Sequence, residues 1–457
     1  MRKFILLTGI TLTFLLPRLY AQQEQSLHFV NNIWQSNMTN PAIKSSDKIQ
    51  LLLPGIYYST HSPDFTLREL LKTGEAGNLN LSEVTKNRIQ PRNRLNAHAN
   101  IMSLGLSYPV SKKLTLSLYQ TTNSHFSLDL DGDVLKLVLV DNIDYVGKTL
   151  NLHSQMNGSI YSEIGFGGVY SVNDKINIGV RLKSLNGISG IFTVGGESRL
   201  TLLNTDYAMK MNNNMNIVTY SIPQVKEINT PKEAFNESLF GKNRGYAFDV
   251  GTTMTFGRLN FALSFVDVAG FIRWKDEGKR YASFGDQYFK GINSFKISLE
   301  NPSSSKSTLK DNLKEIIDFD ETDNPRYIEK IPVKFYLSST YQLTTKLVVG
   351  ALVYQEESRY SGIQKGFAFN TTYKFMESLQ LGSTFGYRNG RLNNWGMHLV
   401  TQLGPVQLFG VTDNIISVFR PYATKSANGR VGLNIIFNRS GRAKPPSLHN
   451  SLNIKGF

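Results

Sequence analysis

The feature that most constrains this chain is a period of two in hydrophobicity, sustained in several runs over 9 to 12 residues. Met102, Leu104, Leu106, Tyr108 and Val110 alternate with Ser103, Gly105, Ser107 and Pro109, and Ile176, Ile178, Val180 and Leu182 with Asn177, Gly179 and Arg181. The same rule runs through Phe248 to Phe256, Leu259 to Phe265, Phe367 to Phe375, Leu379 to Tyr387 and Trp395 to Leu399. Successive side chains of a strand point to opposite faces, so each run is a strand with one apolar face and one small or polar face. A soluble sandwich gives the same alternation. Three details favour a membrane barrel instead. Several of the runs exceed the roughly 5 or 6 residues usual in soluble sheets and match a tilted bilayer span. Their polar face is Gly, Ser, Thr and Asn with occasional charges, the make-up of a lumen wall. Tyr108, Tyr170, Phe375, Tyr387 and Trp395 sit near strand ends, where amphipathic rings favour the head-group level.

The first residues agree with export. Met1-Arg2-Lys3, an apolar run from Phe4 to Leu16, and Leu19-Tyr20-Ala21 have the build of a signal peptide cleaved after Ala21. The run is too short to cross the bilayer as a helix, and Pro17-Arg18 ends it. An exported chain without a long apolar helix can still span a membrane by closing a barrel, because closure satisfies every backbone group in lipid.

Composition excludes several function classes. With no cysteine, disulfide scaffolds, thiol nucleophiles and Cys-ligated metals are out. Of the formal +15, Arg2, Lys3 and Arg18 leave with the signal, and Arg439, Arg442, Lys444 and Lys455 lie in an acid-free tail, leaving +8 on the body. Those charges are dispersed and form no nucleic-acid footprint; a mildly basic barrel beside outer-membrane lipid and lipopolysaccharide accounts for them.

Connection lengths set the topology. Six tight turns, 109–114, 171–175, 256–259, 343–346, 376–378 and 403–406, alternate with longer polar segments, 124–157, 186–244, 268–331, 356–363, 389–392 and 414–429. Short turns on the periplasmic side and long loops outside are the asymmetry of outer-membrane barrels. Adding a first strand near Ile49 to Tyr57 and a last near Arg430 to Phe437 gives an all-β, antiparallel transmembrane barrel of about fourteen strands over 49–437. Ile191 to Leu203 and Met215 to Ile222 would raise the count to sixteen if they span the membrane; the alternative is a hairpin projecting above it. Residues 22–48 precede the barrel as a lumenal segment, and 438–457 follow it as a mobile basic tail.

The search for chemistry finds no catalytic constellation and no cofactor motif, so the chain reads as a non-enzyme. Lys275-Asp276-Glu277 and the acids Glu315, Asp318, Asp320, Glu321 and Asp323 accompany a short amphipathic helix at Leu309 to Ile317, and Asp129 to Asp133 has denser carboxylates. Neither reproduces a calcium loop with its distal Glu, and both read as solvated faces. Seven histidines are scattered without a paired spacing. Arg181, Asp249, Lys374, Arg388 and His398 fall on the small-residue faces and are the candidate lumen-lining residues.

Thr39-Asn40-Pro41-Ala42 stands just ahead of Leu51-Leu52-Leu53-Pro54-Gly55. An Asn-Pro-Ala element in that place resembles the outer-membrane transporters of long-chain fatty acids and aromatic hydrocarbons, and the resemblance implies that Asn40, Pro41 and Ala42 belong to a hatch plugging a fourteen-stranded barrel. Where those transporters carry a glycine- and alanine-rich signature, this chain has Asn31-Asn32-Ile33-Trp34-Gln35. Ser103 to Leu106, Gly179 to Lys183, Phe265 to Trp274 and Gly410 to Ile415 together look like an uncharacterised family of Bacteroidota outer-membrane proteins. Two functions follow as expectations: passage of a small hydrophobic ligand or other small solute, or a non-transporting scaffold for envelope protein partners in secretion or surface assembly.

Overall fold

The computed structural model describes residues 24–45, 48–63, 66, 89–139, 146–203, 208–221, 241–290, 320–323, 325–358, 362–388, 391–420 and 423–437. The signal peptide, the acids Glu315 and Asp318, the expected helix at 309–317 and the basic tail lie outside them.

In chain order the strands are β1 (Ile49–Leu52), β2 (Gly55–His61), β3 (Arg92–Pro109), β4 (Leu114–Asp131), β5 (Thr149–Asn151), β6 (Gln155–Ser171) and β7 (Ile176–Gly195). Then come β8 (Arg199–Leu202), β9 (Ala208–Tyr220), β10 (Asn243–Phe256), β11 (Leu259–Trp274), β12 (Gly278–Lys290), β13 (Asp320–Asp323) and β14 (Tyr327–Lys330). The last are β15 (Val333–Gln342), β16 (Leu347–Ser358), β17 (Gly362–Met376), β18 (Leu379–Arg388), β19 (Arg391–Leu403), β20 (Val406–Thr412) and β21 (Ser426–Phe437). Two short helices, α1 (Gly132–Leu139) and α2 (Ile415–Phe419), follow β4 and β20.

Antiparallel pairing closes a barrel of 14 staves. β1 and β2 make one stave, broken at Leu53-Pro54 because proline has no N–H for the ladder; Leu53 N–H still donates to the Leu433 carbonyl at 3.0 Å. This stave pairs with β21 from Ile49↔Phe437 to His61↔Ser426, which joins the ends of the sheet. β14 and β15 likewise share one stave against β11.

The ambiguous segment is settled by register. β10 lies directly beside β7, from Asn243↔Gly187 to Met254↔Ile176, leaving no room for an extra hairpin in the wall. The end of β7 stays paired with β6 as far as Phe192↔Asn157 and exchanges β10 for β9 on its other edge, Gly190↔Tyr220, and β9 pairs with β12 and β8 in an outlying extension of the sheet. The long segments expected as loops are therefore partly strand: β3 and β4 each run 18 residues, beyond any bilayer span. Continuing the ladder satisfies the backbone groups of these polar extensions more fully than an irregular loop would.

The apolar faces point outward. Leu182 is 70% exposed, Phe369 58% and Phe166 54%, whereas Arg181, Asn370 and Thr372 on the opposite faces are buried. Met102 departs from the expected outward row: a register shift between Met102 and Leu104 turns it into the lumen, where it is buried with Trp34, Leu52 and Tyr119. β20 stops at Thr412, opposite Met397, while β19 and β21 run on. Helix α2 sits between them with Ile416, Val418 and Phe419 exposed.

Candidate functional site: a plugged and charge-paired lumen

Residues 24–45 fold inside the barrel. Short helical turns at Leu27–Phe29 and Trp34–Met38 lead into the Asn40-Pro41-Ala42 turn. Leu27, Val30 and Ile33 pack on Val400, Phe409 and Val411, and Phe29 packs on Val266, Tyr336 and Leu352. The turn closes on itself, since Asn40 Oδ1 accepts the Ala42 N–H at 2.9 Å. Asn40 Nδ2 also donates to the carbonyls of Thr252 and Leu263, both at 3.3 Å. It can come this close because Gly179 and Gly251, paired across β7 and β10, offer no side chains: a Cβ on either would lie 2.1 Å from Pro41 or Asn40 atoms.

Much of the remaining hold is polar. Asp413, just before α2, accepts the N–H groups of Gln25 (3.1 Å) and Ser26 (2.7 Å). Gln35 and Asn434 exchange two amide bonds, at 2.8 and 3.0 Å, and Ser264 Oγ donates to the Thr39 carbonyl at 2.7 Å. His28 bridges Thr39 (2.9 Å) and Ser338 (2.8 Å) and stacks on Tyr336 with ring centres 5.3 Å apart. Burial without a charged partner lowers its pKa to about 4. Glu24 pairs with Arg430, Nη2 to Oε2 2.9 Å; burial raises its carboxyl above the ordinary range, with Arg430 opposing.

Between the plug and the wall lies a cluster of paired charges. Arg181 and Asp249 are cross-strand neighbours on β7 and β10, both almost fully buried, with Nη1 and Oδ2 2.9 Å apart. The other arm of Arg181 donates to the Asn37 carbonyl at 2.9 Å, so one guanidinium joins wall and plug. Lys183 contacts Asp249 (3.0 Å) and Asp267 (2.6 Å), and Lys334 reaches Asp267 from the other side at 2.8 Å. Glu163 accepts from Tyr119 at 2.6 Å and lies 3.8 Å from Lys183.

Asp267 reaches this cluster through an irregularity in β11. Its φ is 62° and that of Ala269 is 52°, and the β10–β11 register shifts alongside. Val266 and Asp267 consequently both face the lumen, whereas regular alternation would send one to lipid. The Asp267 N–H donates to Asp249 Oδ1 at 2.8 Å, locking the bulge.

A cavity of about 80 Å³ opens beside these charges, lined by Glu24, Thr39, Asp267, Lys334 and Arg430 and by the rings of Tyr57, His98, His125 and Tyr161. The rings form a ladder: Arg430 lies over Tyr57 at 5.0 Å, Tyr57 meets His98 edge-on at 5.4 Å, His98 stacks on His125 at 4.2 Å, and His125 on Tyr161 at 5.8 Å. Further towards the long loops an apolar cluster of Leu185, Phe192, Tyr220, Ile272, Trp274 and Tyr327 lies on the β7–β11 side.

Among the sequence candidates, Arg181 and Asp249 meet as described, and His398 is buried on the same lumenal face, 3.3 Å from Thr372 Oγ1. Lys374 shares that parity but lies exposed at the short-turn end, next to Met376, and the Arg388 side chain lies outside the described residues. Asp129, at the head of the carboxylate-dense stretch, pairs with Arg94 at 3.1 Å. Among the described residues no group of three His, Asp or Glu side chains is placed to hold a metal. Sequence reading by charge missed Lys183, Asp267, Lys334, Asp413 and Arg430. Three of them stood in view: Lys183, Asp267 and Asp413 lie within the segments Gly179 to Lys183, Phe265 to Trp274 and Gly410 to Ile415 that carried the resemblance.

A family model described as a family of unknown function (DUF5723) matches residues 41–413, which holds the Asn40-Pro41-Ala42 turn from its proline onward, the charge cluster and Asp413. The chain belongs to that family. No curated protein matches it. Among solved structures it is similar to the toluene transporter TbuX of Ralstonia pickettii, with 10% identity over 88% of this chain and 93% of that one and a TM-score of 0.43. It is also similar to the P. putida toluene transporter TodX (10%, covering 88% and 94%, TM-score 0.41) and to a Pseudomonas aeruginosa FadL homologue (10%, covering 92% and 99%, TM-score 0.44). The family brings no assigned solute, and these distant likenesses supply none.

Proposed function

We propose that this protein is an outer-membrane transport barrel whose lumen is closed by residues 24–45 acting as a displaceable plug, and that it passes a hydrophobic or other small solute when the plug moves. The observation that carries this reading is the chemistry of the plug's seat. Many of its contacts are hydrogen bonds and ion pairs to wall side chains, through Asp413, Asn434, Ser264, Arg181 and Arg430. Water can replace such partners at small net cost, whereas a dry core would lose its burial outright. The polar part of the seat stays satisfied with or without the plug, which lowers the cost of displacing it and suits a gate. The outward apolar belt and the exported start of the chain support the outer membrane as its place, with lipid and lipopolysaccharide around it.

The test is electrical. Deleting residues 24–45 should raise single-channel conductance in planar bilayers while the unboiled protein keeps its shifted migration on a gel. A barrel that folds by that criterion and conducts no better than the full chain would overturn the proposal. One observation favours a second reading, an envelope scaffold: the outlying sheet of β5, β8, β9, β12 and β13 extends beyond the barrel and offers a surface that transport does not require.

A further inference from the structure

We infer that the cavity between plug and ring ladder is a binding site for one small zwitterion of amino-acid size. This rests on the transport reading and names the class of solute the same lumen accepts. At roughly 10–15 Å³ of such space per water, the 80 Å³ available holds about five to eight waters, the size of a solute with about six non-hydrogen atoms. A fatty-acid chain or a drug-sized ligand needs a site of roughly 300 Å³ or more.

The lining carries both signs in near balance. Arg181, Lys183, Lys334 and Arg430 line the cavity with Glu24, Glu163 and Asp267, and Asp249, paired with Arg181 and Lys183 beside them, completes the balance, so that each is already paired with an opposite charge. A solute of net charge would leave one of these groups or itself uncompensated in a buried place, which is costly. An apolar solute would strip water from these charges and return nothing. A zwitterion offers a carboxylate to Lys334 or Arg430 and an ammonium to the carboxylate that cation is paired with, Asp267 or Glu24, replacing water on both. The ring ladder in the same lining shows an unfilled valence: His98 Nε2 is buried and has no protein hydrogen-bond partner. Its ring is held by stacking on His125, so that nitrogen is fixed beside the cavity and not free to turn to solvent.

Equilibrium dialysis of labelled alanine against the full chain in detergent tests this, with lactate and isopropylammonium, which each carry one of its charges, as competitors. Saturable binding of one alanine per chain is expected, with lactate and isopropylammonium competing at least about tenfold more weakly. Lys334→Met and Glu24→Gln should each weaken binding by about tenfold, the loss of one charge-assisted hydrogen bond, while the gel shift reports an intact barrel. No saturable binding to the folded chain, or lactate matching alanine, overturns the inference. Conductance of the barrel lacking 24–45, measured alongside, separates the two claims: a conducting barrel without alanine binding sinks the site and leaves transport standing. A barrel that binds alanine but conducts nothing in either form sinks transport and leaves the site.

Discussion

Gly179 and Gly251 face each other across β7 and β10, and the Asn40-Pro41-Ala42 turn rests on the bare backbone between them. The plug's position is therefore set by absent side chains. Gly179→Val places a Cβ 2.1 Å from the Pro41 carbonyl, a clash with backbone that no rotamer relieves. The variant should keep its barrel, judged by heat-shifted migration, while its N-terminal segment becomes cleavable by added protease and its conductance rises. Gly410→Ala, where nothing lies within 4 Å, is the matched control and should behave as the parent. A fully protected N-terminal segment in Gly179→Val would refute this account of the seat.

Arg181 separates wall stability from plug docking. Its planar fork holds Asp249 with one arm and the Asn37 carbonyl with the other. Arg181→Met leaves Asp249 with Lys183 alone and should destabilise the barrel by about 3 kcal/mol, the lower end for breaking a buried pair. Arg181→Lys keeps a charge near Asp249 but cannot span both partners. Urea midpoints close to wild type together with increased protease access to residues 24–45 are expected for the lysine variant. Equal losses in both variants would mean that the plug bond carries no separate weight.

Docking of the plug should weaken in acid through His28. Its pKa in the docked state is about 4 against 6.5 unrestrained, so between those values the released plug binds the proton more readily. The His28 contribution is fully present above pH 6.5 and is lost as pH falls towards 4, about 3 kcal/mol over the whole window. Glu24 works in the opposite sense, because its raised carboxyl takes up a proton in the docked state first. Protease access of the N-terminal segment, followed from pH 7 to about pH 4, should therefore rise in the parent, rise more steeply in Glu24→Gln, and fall in His28→Asn, where only Glu24 remains to act. A parent profile indifferent to pH would rule out His28 as the group responsible.

Charge balance in the lumen predicts weak ion selectivity. In the barrel lacking residues 24–45, reversal potentials under a salt gradient should lie near zero, since Lys183, Lys334, Arg181 and Arg430, which loses Glu24, are matched by Asp249, Asp267, Glu163 and Asp413, which loses Gln25 and Ser26. Lys334→Met removes one cation and should move the reversal potential towards cation selectivity, and Asp267→Asn towards anion selectivity. Identical potentials in all three barrels would show that the cluster does not border the conducting path.

The alternation of apolar and small residues was enough to read the barrel and its outward face, because a two-residue period admits only one assignment of faces once the lipid side is known, while turn spacing gave about fourteen strands and only the β7–β10 register decided fourteen over sixteen. It failed where backbone geometry departs from that period. Met102 reads as lipid-facing and is lumenal because of a bulge, and Asp267 enters the charge cluster only because β11 is irregular at Asp267 and Ala269. Strand length was also understated, as the polar extensions of β3 and β4 have no apolar face to reveal them.

By itself, then, the sequence determined a closed sheet with grease outside and small polar residues inside, through local alternation and turn spacing. The tertiary structure decided what fills that lumen. Asp413 meets Gln25, Asn434 meets Gln35 and Arg430 meets Glu24 across nearly 400 residues of chain, and His98 meets His125 only through the β3–β4 register. Such contacts leave no periodic trace in a sequence, because closure of the ring, not neighbourhood along the chain, brings them together.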